Sequence, residues 1–540
     1  MGKNVFLILG IIFVGLLGIK ALFHPGFYTS HDGEHQVIRL YHFDQALKDG
    51  QFPPRWAGTA DNGYGYPLFV FSYQSPWFIG IPLLRLGLSL TDSVKGVFII
   101  GFVISGVAMA VWLREMWGLF PALTGSILYL WAPYRFSNIF VRASLGEATA
   151  FMFVPLLFWG IWKCRTEKRW RKGVILTSLG LAGIILSHLM VLIVFALPLI
   201  LWVLIQLYES LAKKESLKKI IIGLLLGIGL SSYYLIPAIG EKQSTMASQI
   251  LQSHYLDHFT TLGQLIYSKW GYGFDFPGTV NDAMSFQIGI AQWVAIVFLL
   301  TLMVWTLFKK KKTDSLLLFS FFSFIFSIIM MLSISKPVWE QISKFAYFDF
   351  PWRFLSLAVF IGSLAAALMV KTAKKIGWLI AIFLILLAFY TNRNHLRVNQ
   401  YVYQPDSFYI NNLQTTNMFD EYRPKTIDGN YIKVKRERFE VERKRVTIDN
   451  QIIRSNYLLL EGKADGDTKI KINTTYYPGW RAWVNGVEQK TVLAEDGTME
   501  TLVPKGQFTV KAKFTNTPIR MLSNFVSLIS VFLLVFLVKL

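Results

Sequence analysis

Two acidic residues and two histidines stand together near the start of the chain, in the segment Ser30-His31-Asp32-Gly33-Glu34-His35. They directly follow a hydrophobic run, Val5 to Phe23. A carboxylate can take a proton from an attacking hydroxyl, and carboxylates with imidazoles can also hold a metal ion. We therefore consider Asp32 and Glu34 candidate catalytic residues. We consider His35 a candidate acceptor or metal ligand. The alternative is a group of ordinary polar residues in an irregular loop.

A second group of charged residues lies between positions 132 and 147. Arg135 and Arg142 are candidate ligands for a donor phosphate, because guanidinium groups bind phosphate through paired, charge-assisted hydrogen bonds. The alternative for both is contact with lipid headgroups, which basic side chains near helix ends make routinely. Glu147 stands at the start of an apolar run, where an acid is costly unless it is paired or functional. It is a candidate acceptor or metal ligand.

Two more candidates lie at the ends of other apolar runs. Arg353 follows Asp349-Phe-Pro-Trp, so it either pairs with Asp349 or acts as a further phosphate ligand. His188 interrupts the long apolar run 174–207 and is either an acceptor or metal ligand or a structural residue. A divalent cation, Mg²⁺ or Mn²⁺, is one option for Asp32, Glu34 and Glu147 together; we expect no other cofactor.

The apolar runs that must position these residues predict a polytopic membrane protein. The chain has 540 residues, 53% of them hydrophobic, and its mean hydropathy is +0.43. Many of its apolar runs approach the length of about 20 residues that crosses a bilayer. The single cysteine, Cys164, excludes a disulfide framework. We predict about twelve transmembrane helices: 5–23, 97–113, 119–132, 148–162, two from 174–207 divided at Ser187-His188, 220–238, 288–308, 315–334, 353–370, 377–391 and 519–538.

The basic residues set the predicted orientation. Much of the net charge of +21 lies in short loops between apolar runs, which is typical of cytoplasmic loops. Because this placement accounts for most of the positive charge, we expect no nucleic-acid partner. These loops are 163–172, 213–219, 309–312 and 371–375. Both termini are then cytoplasmic. All the candidate residues are then expected on the extracytoplasmic face of the cytoplasmic membrane. They lie in the external loops or at the helix ends next to them; these loops are 24–95, 133–147, 240–287 and 335–352. The apolar piece 76–90 is expected to be a juxtamembrane helix.

The composition changes after residue 391. Residues 392–518 are polar, alternate like strands from about 430 onward, and carry turn signals such as Asn485-Gly486. We predict an extracytoplasmic, sandwich-like β-domain there. It stands between a transmembrane catalytic module, 1–391, and the last helix, 519–540.

Several short motifs, in this order, resemble the GT-C superfamily of polytopic glycosyltransferases. The closer likeness is to a microbial membrane family that glycosylates lipoteichoic acid, some of whose relatives are labelled pyruvoyl-tetrahydropterin-synthase-related. The matching stretches are His31-Asp-Gly-Glu-His35, Gly50 with Pro54-Arg-Trp56, Gly63-Tyr-Gly-Tyr-Pro67, Ala132-Pro-Tyr-Arg135 with Arg142 and Glu147, Ser187-His188, Met284-Ser-Phe-Gln-Ile-Gly289, Phe350-Pro-Trp-Arg353 and Tyr477-Pro-Gly-Trp480.

The resemblance implies a transferase that takes a sugar from a polyprenyl-phosphate carrier. The acceptor would be a glycan, polymer or lipid outside the membrane, and the configuration at the sugar would invert. Asp32 would act as the base, and Arg135, Arg142 and Arg353 would bind the donor phosphate. Two other classes stay open: a lipid or polysaccharide transporter, and a non-catalytic scaffold for envelope assembly. A transporter is expected to carry ionisable residues deep inside several helices.

Overall fold

Helices make up most of the chain up to about residue 395, and strands dominate after it. A computed structural model describes residues 2–165, 170–248, 254–274, 284–310, 314–343, 348, 350–412, 420–489 and 492–539. The helices are α1 Gly2–Gly18, α2 Gly33–Lys48, α3 Leu68–Phe71, α4 Ser75–Arg85, α5 Leu90–Trp117, α6 Leu119–Leu130, α7 Pro133–Phe136, α8 Leu145–Ala150, α9 Val154–Cys164, α10 Trp170–Ser187, α11 Leu189–Tyr208, α12 Lys213–Gly240, α13 Leu262–Ile266, α14 Ile290–Phe308, α15 Ser315–Met331, α16 Lys336–Ile342, α17 Leu355–Thr372, α18 Gly377–Asn392, α19 Asp406–Ile410 and α20 Pro518–Lys539.

Nine helical segments among the described residues are long and apolar enough to cross a membrane. They are α5, Leu145–Cys164 (α8 with α9), α10, α11, α12, α14, Pro351–Thr372 around α17, Lys374–His395 around α18, and α20. The other three predicted spans coincide with shorter apolar helices, Val5–Gly18, Leu119–Leu130 and Ser315–Met331. The membrane character of the chain is therefore clear, whereas a total of twelve crossings stays a prediction.

The helices differ in detail from the predicted spans. The first helix ends at Gly18 rather than near residue 23, and Lys20–Phe23 form a 3-10 turn. The predicted helix 148–162 is divided into α8 and α9, with Pro155 in the first turn of α9, where its missing N–H leaves no broken hydrogen bond. The expected break is found at His188. This residue is extended, with φ −166° and ψ 99°, between α10 and α11.

Ion pairs hold the basic loops at one end of the helix bundle. Arg165 Nη1 lies 2.6 Å from Glu209 Oε2, and the Ser315 hydroxyl also donates to Glu209. Lys371 Nζ lies 3.7 Å from Asp314 Oδ2. These contacts join the loops that follow α9, α11, α14 and α17, whose side of the membrane stays a prediction.

The first loop, residues 24–89, contains the helices α2, α3 and α4, and α2 begins where an irregular segment was expected around Asp32 and Glu34. Asp32 occupies the N-cap position of α2, and Glu34 lies in its first turn. The apolar piece 76–90 contains the helix α4, whose 11 residues are too few to span a bilayer; its position beside the membrane stays a prediction. A short strand in the loop, β1 Phe27–Tyr28, pairs antiparallel with β2 Tyr401–Val402.

The strands after β2 form two antiparallel sheets. They are β3 Phe439–Glu440, β4 Val446–Ile453, β5 Tyr457–Ala464, β6 Thr468–Ile472, β7 Trp480–Val484, β8 Val487–Gln489, β9 Val492–Leu493, β10 Met499–Val503 and β11 Gly506–Phe514. One sheet has the order β3-β6-β10-β9 and the other β4-β5-β11-β7-β8. Residues of both sheets, such as Ile470 and Val510, belong to one buried cluster. The predicted turn at Asn485-Gly486 joins β7 to β8, and both residues have positive φ.

The first loop is fixed to this β-region. Trp56 is fully buried in the same cluster as the sheets, with its ring 5.5 Å from that of Trp480. Gln51 donates to the Ser455 hydroxyl at 3.0 Å, and the Ser455 N–H donates to Asp49 at 2.7 Å. At Gly58 an added Cβ would lie 2.4 Å from the Ser455 backbone, so only glycine permits this approach. The loop thus connects the helices to the sheets rigidly.

Candidate functional site

The backbone of Asp32 is held against the segment that carries Arg142. The Asp32 N–H donates to the Arg142 carbonyl at 2.9 Å, and the preceding His31 N–H donates to the Val141 carbonyl at 3.0 Å. Asp32 is half-buried, and no described group hydrogen-bonds its carboxylate, not even the N–H groups of α2 that an N-cap side chain usually accepts from.

A buried ion pair lies next to Asp32. Arg142 Nη1 donates to Glu147 Oε2 at 2.8 Å, and the Tyr134 hydroxyl donates to Glu147 Oε1 at 2.6 Å. Arg142 is only 4% exposed and Glu147 only 1%. The Arg142 guanidinium also lies 4.6 Å from the centre of the Trp352 ring. These contacts place Arg142 inside the protein, which argues against the headgroup interpretation.

Charge and burial determine the protonation of this group. Burial raises the pKa of Tyr134 well above its usual value, and Glu147 raises it further, so the phenol stays a donor. Burial alone would lower the pKa of Arg142, but Tyr134 and Glu147 outweigh it and raise that pKa overall. Arg142 therefore stays positive at any physiological pH.

Arg353 and His188 close the other side of the group. Arg353 Nη1 lies 3.5 Å from His188 Nε2, and both are within electrostatic reach of Glu147. Burial, followed by the charge of Arg353, lowers the pKa of His188 to about 3, so this histidine is neutral. Arg142 and Arg353 therefore both lie near the buried Glu147 carboxylate. The Asp349 partner considered for Arg353 lies outside the described residues.

Arg135 is placed differently from the other two arginines. Its guanidinium is enclosed by the rings of Phe102, Tyr129 and Phe151, the last only 4.1 Å away, and it donates to the Ser105 hydroxyl at 2.7 Å. No described carboxylate accepts a hydrogen bond from it. The predicted role of Arg135 in phosphate binding therefore has less geometric support than that of Arg142.

The acids proposed for a metal site do not converge. Among the described residues, no group of three or more histidine, cysteine, aspartate or glutamate side chains could hold a metal ion. Glu34 is exposed and accepts from Asn412 Nδ2 at 3.1 Å, whereas Glu147 is saturated by Arg142 and Tyr134. Burial and then Arg39 lower the pKa of His35. Asp32, Glu34 and Glu147 therefore do not fit a shared Mg²⁺ or Mn²⁺.

Three features of the site were missed in the sequence. Tyr134 and Trp352 contact the Arg142–Glu147 pair directly, although both stand in motifs that were singled out for their arginines. A π-helical turn, Ser137–Val141, precedes Arg142, and such turns often occur at functional positions. A turn of this kind has no distinct residue pattern, so only the structure could show it.

The comparison with protein families identifies the chain. A family model described as "6-pyruvoyl-tetrahydropterin synthase related domain; membrane protein" matches residues 75–399. The chain belongs to this family. An uncharacterized protein of Lactococcus lactis subsp. cremoris (strain MG1363) is 25% identical over 342 residues, which are 60% of this chain and 53% of that relative. The chain thus spans about half the length of that curated relative.

The enzyme in the family's name does not match the chemistry of the site. Among the described residues, the histidines form no cluster with other ligand residues, and His188 and His35 each lie near an arginine. Zinc chemistry needs about three such ligands around one point. The family therefore establishes a membrane protein, and its name adds no activity to the site.

Proposed function

We propose that the chain is an integral membrane glycosyltransferase of GT-C type. It transfers a sugar from an undecaprenyl- or dolichyl-phosphate carrier to an acceptor outside the cytoplasmic membrane. The observation that carries the proposal is the backbone contact between Asp32 and Arg142. Asp32 is half-buried, and its carboxylate has no hydrogen-bond partner among the described residues. Arg142 and Arg353 both lie within electrostatic reach of Glu147. A general base beside an anion site is what displacement of a lipid phosphate requires.

The reaction follows from this arrangement. Asp32 takes the proton of the acceptor hydroxyl, and the hydroxyl oxygen forms a bond to the anomeric carbon. The bond between that carbon and the phosphate oxygen breaks, and its electron pair leaves with the lipid phosphate. Arg142 and Arg353 stabilise the growing negative charge on that phosphate. Attack opposite the leaving group inverts the configuration of the sugar.

We also propose an orientation of the chain in the membrane and an arrangement of its β-region. Twelve crossings, with both termini in the cytoplasm, put the basic loops inside and Asp32, Arg142, His188 and Arg353 outside. The two sheets are proposed to form an external β-sandwich. Membrane lipids would surround the exposed apolar helix faces, and the donor lipid tail would lie between helices.

The distribution of buried charges favours a transferase over a transporter. Among the described residues of the nine candidate spans, the buried charged side chains are those of Lys95, Glu147, Lys163 and Arg520. Each lies within about two turns of a helix end, counting 3.6 residues a turn. A transporter is expected to carry such groups deep in the membrane, along the path of its substrate.

The test is a transfer assay with the full chain in proteoliposomes. Undecaprenyl-phosphate-linked glucose, galactose and N-acetylglucosamine would be supplied with a mixture of envelope glycans and polymers. Transfer of one sugar, with inverted configuration and dependence on Asp32, supports the proposal. Movement of intact carrier lipid or glycan between leaflets without sugar transfer would instead support a transporter. If neither sugar transfer nor lipid movement is detected, the non-catalytic scaffold is the remaining class.

A further inference from the structure

A polar cleft of about 680 Å³ opens between the first loop and α19. Its lining includes the carboxamides of Asn62, Gln404, Asn411 and Asn412, the hydroxyl of Ser407 and the ring of Phe408. None of the described lining residues carries a formal charge. Neither the sequence motifs nor the proposed reaction accounts for this cleft.

The wall of the cleft formed by α19 is held in place from three directions. The carboxylate of Asp406 accepts from the Leu90 N–H at the start of α5, with both oxygens at 3.2 Å. Tyr409, on the same short helix, is buried against the main hydrophobic core. The segment before it is tied to the first loop by the β1–β2 pair. The cleft is therefore preformed, which reduces the entropic cost of binding.

The lining has the chemistry that recognises neutral sugars. A carboxamide offers two N–H donors and one acceptor oxygen, so it can bond the donor and acceptor sides of neighbouring hydroxyls. Phe408 is 42% exposed and gives a flat apolar face for the C–H side of a sugar ring. An anionic polymer would have to give up water here without meeting a described cation, which is costly.

The cleft is connected to the helix that begins at the proposed base. Asn412, one of the lining residues, donates through Nδ2 to Glu34 at 3.1 Å, and Glu34 lies in the first turn of α2, whose N-cap residue is Asp32. A chain of sugars in contact with Asn412 would therefore have one end at the start of α2.

We infer that this cleft is an acceptor subsite that binds a neutral glycan chain and directs its terminal hydroxyl toward Asp32. The role as an acceptor subsite rests on the proposed function, whereas binding of a neutral glycan does not.

Binding can be measured without catalysis. The full chain in nanodiscs would be titrated with neutral trisaccharides of glucose, galactose, mannose and N-acetylglucosamine, and with poly(glycerol phosphate), using saturation-transfer NMR. At least one trisaccharide should bind. Phe408→Ala and Asn411→Ala should each weaken that binding at least about tenfold, the loss expected from 1.4 kcal/mol. Phe408→Trp should retain it. Tyr403→Ala removes an exposed ring outside the cleft and serves as the matched control.

The outcomes separate the inference from the proposed function. Binding of no trisaccharide, or binding that Phe408→Ala leaves unchanged, overturns the inference. Binding of poly(glycerol phosphate) alone overturns the neutral character of the ligand. In the transfer assay, Phe408→Ala should raise the KM for a glycan acceptor and leave the donor KM unchanged. Glycan binding that depends on Phe408, without any sugar transfer, would retain the binding site and refute the transferase. Sugar transfer without glycan binding that depends on Phe408 would retain the transferase and refute the binding site.

Discussion

Asp32 and Glu34 are two residues apart but have different surroundings. Asp32 is half-buried and without a described hydrogen-bond partner, whereas Glu34 is exposed and bound to Asn412. We expect Asp32→Asn to reduce the rate of sugar transfer about 10²–10⁴-fold, the usual contribution of a general base. Glu34→Gln should reduce it far less. The measurement is kcat with a fixed donor. Asp257→Asn, which neutralises an exposed acid elsewhere, is the control. A greater loss in Glu34→Gln than in Asp32→Asn would reverse the two roles.

The Arg142–Glu147 pair combines a structural and a functional part, which a double variant can separate. Arg142→Gln alone leaves the buried Glu147 without its ion-pair partner, and breaking such a pair costs about 3–5 kcal/mol of stability. Arg142→Gln with Glu147→Gln removes both charges and should regain much of that stability, as read from thermal unfolding in nanodiscs. The donor KM of the double variant should still rise about 10–100-fold, because a charged hydrogen bond contributes about 1.5–3 kcal/mol. A normal donor KM in the double variant would show that Arg142 is structural.

Among the elements, the contact between the first loop and the β-region depends on very close packing. Gly58→Ala brings a Cβ to 2.4 Å from the Ser455 backbone, which cannot move without disturbing the contacts of Gln51 and Asp49. We expect the loop to detach locally and become sensitive to protease added outside, while the helices stay folded. Gly466→Ala is the matched control, because nothing lies within 4 Å of its added Cβ. Equal protease resistance of the two variants would contradict this account of the junction.

The sequence predicted those elements whose signals are local. The break at His188 and the turn at Asn485-Gly486 follow from an over-long apolar run and from a residue pair with a strong turn preference. Helix α2 was missed, because its apolar, aromatic and charged residues are mixed and it has no apolar stripe of the usual spacing. Local patterns also cannot indicate that Trp56 is buried among strands near the other end of the chain.

The candidate site was predicted only in part for the same reason. The sequence suggested Arg142 and Glu147 as members of one group, and His188 and Arg353 as two further candidates at the ends of other apolar runs. That all four form one group depends on how α8, the α10–α11 break and α17 pack together. At Gly146, for example, an added Cβ would lie 2.6 Å from the Ser187 carbonyl oxygen. Such contacts are fixed by the tertiary structure, so the spacing of residues along the sequence does not predict them.

For the whole molecule, the orientation in the membrane can be tested with single cysteines in a Cys164→Ser background. Positions 257 and 469 are exposed near the proposed outer face, and 214, 310 and 374 are exposed in or beside the basic loops. An impermeant thiol reagent should label the first two in intact cells. It should reach the other three only after the membrane is opened, because basic loops stay in the cytoplasm. Labelling of 214 or 374 in intact cells would contradict the orientation and place Asp32 on the wrong side for an external acceptor.

The junction between Trp56, Ser455 and the sheets also has a consequence for biosynthesis. Gln51 and Ser455 are separated by 404 positions. At about 5–20 residues per second, a ribosome needs about 20–80 s to cover that distance. In the proposed orientation, the first loop is already outside during this interval, but its partner strands do not yet exist. We expect chains stalled before residue 439 to expose Trp56 and to be cut by an external protease within 24–89, and chains stalled after 514 to resist it. The loop that carries the proposed base would then be fixed only after the strands up to Phe514 have formed, so we expect a nascent chain to gain activity only after that point.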